Sequence, residues 1–109
     1  MKLTGVAIGW AIAVAAATTA ADAATGINVQ LFQFRPGTIA VNAGTRVTWT
    51  NHDEIEHTVT AGVPDKPAGG FDLALGGKGA TASADFSTPG TYSYFCRRHQ
   101  HMRGEVKVN

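Results

Sequence analysis

Cys96, His99 and Met102 fall within one seven-residue stretch and offer a thiolate, an imidazole and a thioether at Cys-x2-His-x2-Met spacing. A straight strand points successive side chains to opposite faces, whereas a tight loop can turn all three towards one point. Soft sulfur beside imidazole suits copper, and a weak axial thioether is characteristic of mononuclear electron-transfer copper. Zinc favours four strong nitrogen, sulfur or oxygen donors and makes little use of methionine. A trigonal copper site needs a second imidazole, and three histidines remain to supply it. His57 is the best candidate, because it opens a predicted strand of its own. His101 lies between His99 and Met102, where ligation by all three neighbours would strain the loop. His52 sits in the polar turn His52-Asp53-Glu54, where exposure to solvent is expected.

The cysteine count bears on the same point. Cys96 is the only cysteine, so the chain has no internal disulfide. An inert buried thiol, an intermolecular disulfide and a metal ligand are the three readings. An unprotected thiol is a liability in an oxidising compartment. With His99, Met102 and His57 to hand, ligation accounts for it best.

The elements that must position these residues read as short strands. Ile27 to Phe34 alternates apolar and polar residues, the period of a half-buried strand. Arg35-Pro36-Gly37 breaks it, and Thr38 to Val41, Thr45 to Asn51 and Glu56 to Ala61 follow as further strands. Gly62 to Gly79 is rich in glycine and proline and reads as loop around one edge strand at Phe71 to Leu75. Thr81 to Phe86, Thr91 to Cys96 and Gly104 to Val108 complete the set, with a turn at Thr88-Pro89-Gly90. Seven or eight short strands with no helical period predict an all-β fold, a two-sheet Greek-key sandwich. Trp49, Phe34, Phe86 and Tyr92 are expected in its core rather than on an electron pathway.

The N-terminus reads as an address. Lys2 precedes an apolar run from Gly5 to Ala17, and Ala21-Asp22-Ala23 has the small-x-small pattern of a signal-peptidase site. The run is alanine-rich and interrupted by Thr18 and Thr19, which makes it a poor membrane anchor of ~20 residues. Residues 1–23 are therefore expected to be a cleaved secretory signal and residues 24–109 a single domain. The absence of a twin-arginine pair favours the general secretory route and a periplasmic location. A net charge of +1 gives no basic excess for nucleic acid, and no second long apolar run argues for membrane insertion of the mature chain.

With these motifs in place, the chain resembles the cupredoxins, and among them amicyanin and its plastocyanin-like relatives. Val47-Thr48-Trp49-Thr50-Asn51 followed by His57-Thr58-Val59 resembles the strand and first-ligand region. Gly90 to Cys96 resembles the strand ending at the copper thiolate, and His99 to Gly104 the loop that closes the site. The likeness runs from about Ile27 to Val108, and the Cys-x2-His-x2-Met spacing is the amicyanin one. It implies one copper ion per chain cycling between Cu(I) and Cu(II), with His57, Cys96 and His99 as strong ligands and Met102 on the axis. It also implies that Asn51 hydrogen-bonds near the ligand loop and holds it beside His57.

The chain departs from the family at its rim. Arg97-Arg98 stands where Thr-Pro or Ser-Pro is usual, Gln100-His101 replaces a Pro-aromatic pair, and Glu56 stands where proline is common. The resulting expectation is a monomeric blue copper protein shuttling electrons to redox partners. Arg97, Arg98 and Arg103 would dock an acidic surface on such a partner. The alternative is a periplasmic copper carrier or storage protein, which usually uses several methionines; beyond the presumed signal this chain has only Met102. Catalysis is not expected. An oxidase or reductase site needs an open position or a second metal, and a Cys-His hydrolase needs an orienting third group and a cleft.

Overall fold

The computed structural model describes residues 24–109, which form nine strands. They are β1 (Ala24–Gln30), β2 (Gln33–Arg35), β3 (Thr38–Val41), β4 (Thr45–Asn51), β5 (His57–Val63), β6 (Lys66–Leu75), β7 (Thr81–Phe86), β8 (Gly90–Phe95) and β9 (Arg103–Val108). Alternation sets which way each strand faces. In β4 Val47, Trp49 and Asn51 are buried while Arg46 points out, and in β1 Ile27 and Val29 are buried between exposed neighbours.

Two mixed sheets result, one ordered β2-β1-β4-β7 and the other β3-β9-β8-β5-β6. The parallel pairs are β1 with β4 and β3 with β9; the others are antiparallel. Their inner faces enclose the core. Tyr94 of β8 meets Phe34 of β2 at 4.7 Å between ring centroids and Trp49 of β4 at 5.4 Å, both edge to face. Such pairs contribute about 0.5–1.5 kcal/mol each beyond the area they bury. Trp49, Phe34 and Phe86 lie in this core, with Tyr92 half-buried against it, as the sequence led us to expect. Tyr94 needs the absence of a side chain at position 104, because a Cβ on Gly104 would stand 2.3 Å from its ring.

The sandwich agrees with expectation, but two details do not. Ile27 to Phe34 is a hairpin rather than one strand: Leu31 and Phe32 take left-handed backbone at φ 54° and 59° between the paired Gln30 and Gln33. That is the geometry of a two-residue hairpin turn, normally served by Asn-Gly. The stretch from Gly62 to Gly79 is mostly strand, since β6 pairs with β5 near both of its ends, at Lys66-Pro67 and at Asp72 to Leu75. A bulge between Thr60 and Gly62 lets the pairing continue, with Gly62 at φ +102°.

Three segments converge at one end of the sandwich. The β1–β2 turn supplies Leu31 and Phe32. Residues 52–56 cross from β4 in one sheet to β5 in the other and deliver His57. The loop 96–102 joins the neighbouring strands β8 and β9, and the Cys96 amide donates to the Met102 carbonyl at 3.1 Å to close it. No helix among the described residues is long and apolar enough to cross a membrane. The expected signal at 1–23 lies outside the described residues.

Candidate metal centre

Three of the residues singled out by spacing come together here. His57 Nδ1 stands 3.8 Å and His99 Nδ1 3.7 Å from Cys96 Sγ, and the three donor atoms all lie within 4.8 Å of one another. Donors about 2.0–2.3 Å from one ion stand roughly 3.5–4 Å apart in a trigonal plane, so both sulfur–nitrogen spacings suit a shared metal. Cys96 and His57 are both 0% exposed and His99 is half-buried. Met102 is buried in the same loop, its amide donating to the His99 carbonyl at 2.9 Å.

The second nitrogen of His57 explains which one faces the sulfur. His57 Nε2 is 2.8 Å from Asp53 Oδ2, and an ionised carboxylate can only accept. The proton therefore sits on Nε2, and Nδ1 turns a lone pair towards Cys96. Asp53 also accepts the Leu31 amide at 2.7 Å and the Phe32 amide at 3.0 Å. Partial burial opposes ionisation of Asp53, but the Phe32 amide, His57 and the Leu31 amide outweigh it and hold its carboxyl below the usual range. One carboxylate thus orients an imidazole and secures the left-handed turn beside it.

His99 is held differently. Burial first, then the proximity of His57, Arg98 and His101, pushes its imidazole below the ordinary histidine value, against the pull of Asp53. It is a neutral donor at neutral pH. The Phe32 ring stands edge-on to both imidazoles, at 4.8 Å from His99 and 5.3 Å from His57. The sulfur receives the Thr58 amide at 3.4 Å.

The remaining candidates sort by position. His52 is exposed and bonds Asn28 through Nε2 at 2.9 Å, and His101 is exposed. Asn51 is fully buried but reaches a different loop from the one expected. Its Nδ2 donates to the Ile55 carbonyl at 2.9 Å and its Oδ1 accepts the Asp53 amide at 2.8 Å. It braces the segment before His57 rather than the Cys96–Met102 loop, because the crossing from β4 to β5 begins at Asn51 itself. The arginines are partly engaged. Arg97 makes an ion pair with Asp72 at 3.1 Å, Arg98 one with Glu56 at 3.6 Å, and Arg103 donates to the Gln100 carbonyl.

Asp53, Phe32 and Thr58 were not foreseen as parts of the site. A carboxylate four residues before His57 was the only available hint of Asp53. Phe32 was hidden by the apparent continuity of the first strand.

Comparisons with known proteins agree with this geometry. The family described as copper binding proteins, plastocyanin/azurin family, matches residues 21–109. The chloroplastic plastocyanin of Tetradesmus obliquus is 35% identical over 98% of this chain and 79% of its own length. Amicyanin-alpha of Methylorubrum extorquens is 32% identical over 77% of this chain and 71% of its own. Among solved structures, a purple cupredoxin from Nitrosopumilus maritimus superposes with a TM-score of 0.70 at 26% identity, covering 81% of this chain and 100% of that one. A Cu(I) form of an amicyanin variant gives 0.71 at 27% identity, covering 81% and 84%.

Proposed function

This chain belongs to the plastocyanin/azurin family of copper-binding proteins, and from that premise we propose that it carries single electrons on one copper ion held by His57, Cys96, His99 and Met102. The observation that carries the ligand assignment is the meeting of Nδ1 of both histidines with Cys96 Sγ, with the His57 tautomer fixed by Asp53. Copper, when bound, supplies a one-electron couple between Cu(I) and Cu(II). The chain supplies the rest. Cys96 and His57 exclude water by burial, and Asp53, by accepting from Nε2 of His57, leaves Nδ1 to face the sulfur. Thr58 donates a hydrogen bond to the sulfur, and Met102, buried in the same loop, would add its thioether to the donors that hold the ion. Donors held this firmly from outside change little between oxidation states, which suits electron transfer better than exchange of the metal. Deep burial likewise favours retention of copper over handing it on as a carrier would.

His99 is the exit for the electron in this reading. It is the more exposed imidazole, and the exposed Phe32 of the β1–β2 turn stands edge-on to it. The partner is a redox protein with an acidic docking surface. Arg103, whose partner is the Gln100 carbonyl, and Arg98, in a longer 3.6 Å pair with Glu56, carry more of that attraction than Arg97, whose guanidinium is held by Asp72 at 3.1 Å. The protein is a non-enzymatic monomer, exported through residues 1–23 to the periplasm as the domain 24–109.

Titration of the purified protein with Cu(II) tests the assignment. An intense visible band saturating at one equivalent is expected, and it should vanish in Cys96→Ala. A colourless complex, or a band that survives that substitution, overturns it. Transfer rates to an acidic partner should fall with ionic strength and with Arg98→Glu.

A further inference from the structure

Arg97 stands where the family usually has a small residue, and the structure gives it a task away from the docking surface. The Arg97 amide donates to Thr58 Oγ1 at 2.9 Å. Thr58 Oγ1 lies 3.0 Å from Thr60 Oγ1, and Thr60 Oγ1 donates to Asp72 Oδ1 at 2.8 Å. Because a carboxylate only accepts, the hydroxyl direction is fixed: Thr58 donates to Thr60, and Thr60 to Asp72. The Arg97 guanidinium then closes the circuit, with Nε at 3.3 Å from both carboxylate oxygens of Asp72 and Nη2 at 3.1 Å from Oδ2.

The placement of this circuit is what matters. Thr58 also gives its amide to Cys96 Sγ, and Arg97 is the next residue after Cys96. Thr60 pairs with Asp72 on β6 and with Phe95 on β8, one residue before the cysteine. Thr60 is 2% exposed, so its hydroxyl has little access to water in place of these partners. Arg97 first and Thr60 second hold the Asp72 carboxyl below its ordinary value, as donors to a carboxylate should.

We propose that Arg97, Thr58, Thr60 and Asp72 form a closed hydrogen-bonded ring that positions the Cys96 thiolate, by fixing both the peptide that follows it and the amide that donates to it. The ring ties β5, β6 and the start of the ligand loop into one unit: the three bonds from the Arg97 amide through Thr58 and Thr60 to Asp72 run in one sense, so each strengthens the next, and the Arg97 guanidinium meets the same carboxylate directly. These are positioning residues and touch no metal. The role in tuning a copper site rests on the function proposed above; the role in fixing the sulfur does not.

Thr60→Val in the full-length protein tests both, with Thr60→Ser as the conservative control. In the metal-free protein, alkylation of Cys96 by a small reagent reads how often the sulfur is released. Thr60→Val should label roughly tenfold faster, the equivalent of losing one buried hydrogen bond, with the urea midpoint of global unfolding changed proportionately less. Thr60→Ser should restore the original rate. In the copper-loaded protein the visible band and the reduction potential should shift in Thr60→Val and return in Thr60→Ser. Unchanged labelling, labelling that merely follows global stability, or an unshifted band each overturn the proposal. Should Thr60→Val not fold, Asp72→Asn at the exposed end of the ring should give the same changes to a smaller degree. Absence of any band in the unaltered protein would defeat the copper assignment instead, and the metal-free labelling would still decide whether the ring holds the sulfur.

Discussion

His57 and His99 face the same sulfur from unlike surroundings. His57 is wholly buried at the start of a strand, with Asp53 on its far nitrogen and Asn51 bracing the segment that delivers it. His99 is half-buried in a loop, and its Nε2 has no side-chain hydrogen-bond partner among the described residues. One imidazole is an anchor and the other a contact with the outside. A site of this kind divides rigidity from access between two residues of the same type, and it can do so because a sandwich end offers both a sheet crossing and a hairpin loop.

The largest effect should come from removing each imidazole in turn. His57→Gly is expected to abolish the visible copper band, and added imidazole should not restore it, since that cavity is sealed. His99→Gly should lose the band and regain it when imidazole is added, as an absorbance titration would show. Equal rescue of both would erase the distinction between them.

Asp53→Ala is the next test. Losing an outer-shell partner of this type typically lowers metal affinity about 10–100-fold, and the reduction potential should rise as the His57 imidazole becomes less basic. Arg98→Ala, beside His99, should change affinity far less. Competition with a copper chelator measures both.

The loop that carries His99 depends on how β8 and β9 close behind it. Gly104→Ala would drive a methyl group into the Tyr94 ring, which is itself pinned between Phe34 and Trp49. Overpacking of this kind costs about 1–3 kcal/mol, to be read as a lowered urea midpoint. His57, delivered by another segment, should keep its hydrogen bond to Asp53 in that variant, detectable by NMR.

Acid should loosen the periphery first. The carboxyls of Asp72 and Asp85 are held low chiefly by Arg97 and Arg46 respectively. Their folded values lie below the unfolded one, so their contribution is present above about pH 4 and is lost as pH falls through the folded values. Stability should therefore decline below about pH 4, and Asp72→Asn should make the decline shallower. The smallest effect is expected on the turn: Leu31→Asn should add up to about 1 kcal/mol by relieving left-handed backbone at a branched residue. Thermal unfolding with and without copper would show whether the gain is independent of the site.

Most of the sandwich was legible because alternation is a local property, visible in β4 and β7 without reference to anything else. The Cys96 loop was legible for the same reason: three donors close in sequence must be close in space. Asp53 was not, because two of its partners, the Leu31 and Phe32 amides, lie 22 and 21 residues upstream on a turn that nothing in the local sequence announces. Leu31-Phe32 carries no glycine, asparagine or proline, so nothing local announced a reversal of the chain. Asp72 fell inside the edge strand expected at Phe71 to Leu75, but its place opposite Thr60 depends on strand register, which nothing local announces. Arg97 was noticed as a charge, but its partners are set by strand register rather than by sequence.

The position of β9 has a consequence for timing. It is the last strand, yet it lies inside the five-stranded sheet, paired in parallel to β3 on one side and antiparallel to β8 on the other. A chain emerging N-terminus first can pair β1 with β4, but β3 keeps a bare edge until Val108 arrives. Long-range pairings of this sort form late and slowly. Cys96, His99 and Met102 lie just ahead of β9, so the thiol stays open to its surroundings until β9 has been made and has docked between β3 and β8. The rate at which β9 closes the sheet, as well as final stability, then bears on how long the cysteine is exposed before the site forms.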